Sequence, residues 1–411
     1  MKKILRYFLI LLVNLVLIIY IAELFLFFFL PDTQKTLIKI NETRLKIANE
    51  KGLKYDTRSR AQVFYDMAQS NPNLVPAFNF NKRFAEYETF KKAIKSNKPI
   101  PFRGPINKQT LSCAEDLNYR LINNDYIGYK NPDSIYESNI EIILLGDSYA
   151  EGLCYDENND IAANLRKENY NSANFGVTGT GPLVSLGIFR EYVEHFKPKY
   201  VIYFYYEGND IPDLLWEKNN ILLKKYIKES FSQNLMSKEK QISTFLHDIS
   251  KDSYSYIKSQ VNNKISNDVE KENFFREYLK DFLELSSLRN YVKNNFYLIH
   301  DKSFDEDLFF SIINRMNNET NLWGGKFIFV YTPSWSRYFT KFTKLQRYTR
   351  KKDLILKQLK KNNIHKVDLT AFFDHEEDLK QYFPLGYIGH YNEKGYKKIS
   401  EIVIDKINEI K

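Results

Sequence analysis

The sequence has few of the residues that usually announce a cofactor. Two cysteines among 411 residues, Cys113 and Cys154, permit at most one internal disulfide. Six histidines are present. Apart from His390, they are His195, His247, His300, His365 and His375, and they share no common spacing. His375-Glu376-Glu377 has no second histidine at helical spacing behind it, so it is not a metal motif. Glycine is sparse at 15 residues. Its densest stretch, VTGTGP at 177–182, lacks the Gly-Lys-Ser/Thr that completes a phosphate loop. There is no internal repeat and no low-complexity tract. No metal and no other cofactor is expected. The charge excess is also small: 60 Lys+Arg against 51 Asp+Glu leaves +9, with both signs scattered along the chain. This is a solvated mixed-charge surface, and no nucleic-acid partner is expected.

Apolar residues are plentiful, at 43% of the chain with 16% aromatic. That suffices for a large core, as one big domain or two smaller ones. The longest apolar run is YFLILLVNLVLIIYIAELFLFFFL, residues 7–30, before Pro31. It is long enough to cross the roughly 30 Å hydrocarbon layer as one helix. It exceeds a signal-peptide core, and no small-x-small cleavage site follows it, so an uncleaved anchor over residues 1–31 is expected. Lys2, Lys3 and Arg6 precede the run, which places the N-terminus in the cytoplasm and the rest outside. Asn14 and Glu23 are the polar residues within it. In the oxidising compartment this topology implies, Cys113 and Cys154 read as a disulfide joining the segment before residue 146 to the helix after it. Two separate buried thiols is the alternative.

Residues 32–137 read as a juxtamembrane or stalk region packing onto the domain that follows. Beyond them, apolar strands alternate with helices. Strands are expected over 140–146, 169–176, 198–210, 324–333 and 364–370, and helices over 185–196, 342–363 and 392–410. Fully apolar strands in alternation with helices predict a parallel sheet covered on both faces, over 138–411. The Lys/Asn/Glu-rich stretch of about 215–322 reads as a helical insertion.

In such a sheet the loops after the strands gather at one edge, where ligands bind. Four loops there carry chemistry: GDSYAEG at 146–152, NFGVTGTGP at 174–182, YEGND at 206–210 and GHYNEKGY at 389–396. Ser148 has two readings, a nucleophile on a strand-to-helix turn or a helix-capping serine. In the first, His390 takes the serine proton, and the Ser148 N–H, the Gly176 N–H and the Asn209 amide hold the oxyanion. Asp147 is expected to bond nearby backbone N–H groups.

Four blocks in this order resemble the SGNH/GDSL hydrolase superfamily. Ser148 matches its nucleophile block, Gly176 its glycine block, Asn209 its asparagine block and His390 its histidine block. The resemblance implies a flavodoxin-like α/β/α fold and esterase or acyl-transferase chemistry through a serine acyl-enzyme. With the anchor, the YIGYKNPDS stretch at 126–134 and the cysteine after the GDS turn, the layout resembles the membrane-anchored type associated with bacterial polysaccharide O-acetylation. That implies an inner-membrane protein with a periplasmic domain. Its partners would be an acylated carbohydrate, or an acyl donor with a glycan acceptor.

Two positions depart from the family pattern. The aspartate expected three residues before the histidine is Tyr387, which leaves a Ser–His dyad or an acid from elsewhere, Asp374 or Asp378. Glu207 also replaces a glycine of the asparagine block. The missing acid keeps open an inactive glycan-binding or assembly protein, and lipase or thioesterase activity is a further alternative.

Overall fold

The computed structural model describes residues 2–29, 33–82, 88–228, 231–263, 280, 282–286, 288–289, 304–339 and 342–411. The chain divides into two compact units, Met1–Lys51 with Gln260–Lys302, and Gly52–Ser259 with Ser303–Lys411.

In the first unit a helix runs over Lys2–Phe29 and a second over Thr33–Glu50. Within the first, the 24 residues Lys3–Leu26 form an apolar helix with only 6% of its most apolar window buried. At about 1.5 Å per residue, it is long enough to cross a membrane. Its two polar residues beyond Arg6 both bond to backbone. Asn14 Nδ2 donates to the Ile10 carbonyl at 2.9 Å, and Glu23 accepts the Leu288 N–H at 2.6 Å.

The second unit is built on a five-stranded parallel sheet. In chain order, β1 (Gln109–Leu111) and β2 (Leu121–Asn123) form a small antiparallel pair. The main sheet comprises β3 (Ile142–Gly146), β4 (Ser172–Asn174), β5 (Tyr200–Tyr206), β6 (Lys326–Thr332) and β7 (His365–Asp368). The strand order is β4-β3-β5-β6-β7. Counted within the sheet this is 2-1-3-4-5, the flavodoxin-like order, whose crevice opens between the first and third strands.

Because side chains alternate along a strand, each strand feeds two cores. Ile143, Leu145, Val201, Tyr203, Phe327 and Phe329 face one layer, packed on helices Pro182–Ile188 and Glu306–Leu322. Ile142, Leu144, Ile202, Phe204, Ile328 and Val330 face the other, packed on helices Ile161–Lys167 and Glu393–Ile410. Each large apolar side chain removed from water contributes about 2 kcal/mol, which explains why both faces are covered.

One expectation needs redrawing. The helix Glu306–Leu322 lies at the end of the supposed insertion but buries Phe309, Ile312, Ile313 and Met316 in the sheet core, so it is a regular layer helix. The stretch before β3 packs onto the sheet. Phe78, Phe80, Phe102, Ile127 and Tyr129 share the first core with the sheet. Within it, the YIGYKNPDS stretch clamps the loops after β3 and β4. Lys130 Nζ donates to the carbonyls of Gly152 and Tyr155, both at 3.0 Å. Asn131 accepts the Asn174 N–H at 2.7 Å and donates to its carbonyl at 3.1 Å.

Candidate active site

β3 ends at Gly146, whose φ is +141°. A Cβ there would sit 2.6 Å from the Phe204 carbonyl oxygen of β5. The chain can turn sharply out of the sheet here only without a side chain. The helix Ser148–Glu151 starts at once, and its cap is Asp147, which accepts the Tyr149 N–H at 2.8 Å. With capping done by the neighbouring residue, the Ser148 hydroxyl is released from that task. Ser148 Oγ lies 2.8 Å from His390 Nε2. It is 3.4 Å from Asp147 Oδ2.

His390 comes from the loop before the last helix, and the acid behind it is Glu115. One oxygen of Glu115 is 3.0 Å from His390 Nδ1. The other accepts the His390 backbone N–H at 2.6 Å. An ionised carboxylate only accepts, so Nδ1 carries the proton and Nε2 offers its lone pair to the serine O–H. The same carboxylate therefore fixes the position of the loop and the tautomer of the ring. The ring also packs on Tyr149 at 4.6 Å between centroids. Tyr149 donates to the Gly389 carbonyl at 3.2 Å, which holds the loop a second time.

Burial by itself would lower the His390 pKa. The Glu115 charge and hydrogen bond, then the Asp147 and Glu151 charges, outweigh it and leave the imidazole above its ordinary value. Asp147 is pushed up to about 6 by burial, against the opposing pull of the Tyr149 N–H, His390 and the Asn209 and Ser148 side chains.

The structure places neither Asp374 nor Asp378 behind His390. Both are exposed, and Asp374 instead adjoins the Tyr338 hydroxyl. Their expected role is corrected to Glu115, which occupies both available His390 donors. Tyr387, where the family carries its aspartate, packs near Trp335 at 6.2 Å. Sequence reading overlooked Glu115 because it lies far upstream in a stretch without strand or helix periodicity. The signal was indirect: it sits two residues after Cys113, which is disulfide-bonded to Cys154. That bond carries the loop over the helix that begins with Ser148.

Gly176 also departs from its expected role. Its N–H donates to Asn174 Oδ1 at 3.0 Å, inside its own turn. A Cβ on it would lie 2.4 Å from the Glu151 nitrogen. It is a close-packing glycine against the helix that begins with Ser148, and its N–H is taken up within its own turn. Asn209 does reach the site, with its side chain near enough to the Asp147 carboxyl to favour its charged form. The Ser148 N–H is in the first helical position, where an amide has no acceptor within the helix. Among the remaining histidines, His300 lies outside the described residues.

Glu207 is a structural anchor. It accepts three bonds from Arg337, the shortest at 2.6 Å, together with the Tyr331 hydroxyl at 2.6 Å and the Ser334 N–H at 2.8 Å. Both ends of the ion pair are almost fully buried, with 3% and 1% of the side chains exposed. Glu207→Ala leaves the guanidinium buried without its partner and is expected to cost about 3 kcal/mol, measured by chemical denaturation.

Cys154, Glu115 and His390 place potential ligand atoms within 4.8 Å of one another. The Cys154 sulfur is bonded to Cys113, so it offers no thiolate, and the other two groups are committed to each other.

No protein-family model matches the chain, and no curated protein matches it. Several solved structures overlap it. One is a G-D-S-L family protein, described as lipolytic, from Desulfitobacterium hafniense, at 13% identity over 65% of this chain and 99% of that one, with a TM-score of 0.36. A GDSL-like lipase from Bacteroides thetaiotaomicron matches at 13% identity over 67% and 91%, with a TM-score of 0.36. An acetylxylan esterase from Geobacillus stearothermophilus matches at 13% over 66% and 96%, with a TM-score of 0.33. Scores of this size say nothing about activity or substrate.

Proposed function

We propose that this chain is a membrane-anchored serine esterase or O-acyltransferase that works through a Ser148 acyl-enzyme. The observation that carries the reading is the continuous hydrogen-bonded chain from Ser148 to His390 to Glu115. His390 takes the serine proton as Oγ attacks an ester carbonyl, and the imidazolium that forms is stabilised by Glu115. The tetrahedral oxygen is held by the Ser148 N–H and the Asn209 amide. Collapse expels the alcohol, which receives the proton from His390. Water or a sugar hydroxyl then attacks the acyl-enzyme, with His390 again the base.

The substrate class is a cell-envelope polysaccharide bearing or receiving small acyl groups such as acetate. The apolar N-terminal helix, the basic residues before it and the disulfide suit a domain held outside the cytoplasmic membrane of a bacterium. The inactive-binder alternative rested on a missing acid, and Glu115 removes that motive.

A fluorophosphonate probe applied to the full chain tests the reading. Stoichiometric labelling of the wild type is expected, with none in Ser148→Ala and slow labelling in His390→Ala. A folded wild-type protein that stays unlabelled overturns it.

A further inference from the structure

We propose that the polar cavity beside the nucleophile helix is a subsite for one neutral sugar unit, built mainly by residues upstream of the α/β sheet; this rests on the acyl-transfer reading of Ser148. The cavity measures about 240 Å³. Asn79, Asn81, Thr110, Ser112 and Asn124 line it from the upstream segment, and Thr178 from the loop after β4. It adjoins the catalytic groups through two residues. Glu151, one turn after Ser148, is in its wall and close enough to His390 to raise its pKa. Ser112, three residues before Glu115, is in the wall as well.

The chemistry of the lining selects the ligand. A long acyl chain needs a continuous aliphatic wall, and here amides and hydroxyls interrupt the apolar residues all round the cavity. An anion needs a cation to neutralise it. Of the two cationic residues of the wall, Lys130 is paired with the buried Asp160 carboxylate at 3.5 Å and also donates to the carbonyls of Gly152 and Tyr155, and Arg60 donates to that of Leu111. The Glu151 carboxylate, which accepts the Thr178 N–H at 2.6 Å, adds repulsion against any anion. What fits amides, hydroxyls and one carboxylate is a neutral ring carrying several hydroxyls. The faces of Tyr129 and Tyr155 supply the apolar contact such a ring also makes. The volume is below that of drug-sized sites, which start at roughly 300 Å³, and limits the subsite to one ring.

The test uses the full chain in a detergent without a sugar headgroup. Calorimetry with a panel of neutral methyl glycosides reads binding. Hydrolysis of methyl 6-O-acetylglucoside and of p-nitrophenyl acetate reads turnover. Asn79→Leu replaces a lining amide by two methyl groups of similar shape, and Thr110→Val removes one hydroxyl at nearly constant shape. Binding of at least one glycoside is expected, and Asn79→Leu should abolish it. In both variants KM for the sugar ester should rise by roughly tenfold while p-nitrophenyl acetate hydrolysis changes by less than about twofold. Absence of glycoside binding overturns the subsite, as does a parallel loss on both esters in folded variants. A glycoside that binds and is displaced by Asn79→Leu, in a chain that neither labels with fluorophosphonate nor cleaves either ester, upholds the subsite and overturns the hydrolase reading.

Discussion

Replacing Glu115 by glutamine is expected to lower kcat on p-nitrophenyl acetate by roughly 10³- to 10⁴-fold while leaving the fold intact. The amide keeps the shape of the carboxylate but loses its charge and offers a donor as well as acceptors. It no longer requires the proton to sit on His390 Nδ1, and it does not stabilise the imidazolium. The pH profile separates this from a general loss of structure. His390 must be neutral to take the serine proton, and its pKa is raised above the ordinary value by the Glu115 charge against the effect of burial. In the wild type, kcat/KM should therefore rise with pH through a limb above the usual imidazole value of about 6.5. Glu115→Gln removes the charge that favours the protonated ring, so the residual activity should show this limb at lower pH. An unchanged limb would show that Glu115 does not govern His390.

The second large effect is expected from the disulfide. Cys113 and Cys154 are 41 residues apart. Closing a loop of that length constrains the unfolded chain by about 4 kcal/mol on the entropy model. The double variant Cys113→Ala/Cys154→Ala should lose stability on that scale in denaturant. It should also lose activity below its unfolding transition, because the bond tethers the loop that carries Glu115 to the helix that begins with Ser148. Glu115 is two residues from the bridge. Arg120 ties the same loop, bonded to Asp116 at 2.5 Å and to the Cys154 carbonyl at 3.1 Å. If the bridge acts through Glu115, the two losses in kcat overlap. Adding Glu115→Gln to the double variant should then lower kcat less than it does in the wild type. Full additivity would assign the bridge a purely stabilising part.

Much of the fold was legible because its strands are continuous apolar runs. IEIILLG, YVIYFYY and KFIFVYT could be buried only with both faces covered, and that implies helices on two sides of a parallel sheet. The loops that end β3 and β5 were legible for a related reason. An apolar run that stops at Gly-Asp-Ser or Gly-Asn-Asp marks the edge of the sheet, and the parallel order brings those edges together. Less legible were elements whose partners are remote in the chain. The helix Glu306–Leu322 looked like part of a polar insertion, because its charged outer face masks an inner stripe of Phe309, Ile312, Ile313 and Met316. The stretch 60–137 lacks periodicity, yet its aromatics are buried one by one against the sheet.

The apolar N-terminal helix, the doubly covered parallel sheet and the meeting of Ser148 with His390 at one sheet edge can be read from the chain. Each of these follows from local pattern or from strand order. Tertiary structure alone decided which carboxylate stands behind the histidine, what Glu207 does and which glycine serves packing rather than catalysis. Those depend on side chains meeting across long separations. Glu115 meets His390 over 275 residues and Glu207 meets Arg337 over 130. A carboxylate looks the same in sequence whether it orients a base, pairs with a buried guanidinium or faces water. Only the donors that the fold sets against it tell these cases apart.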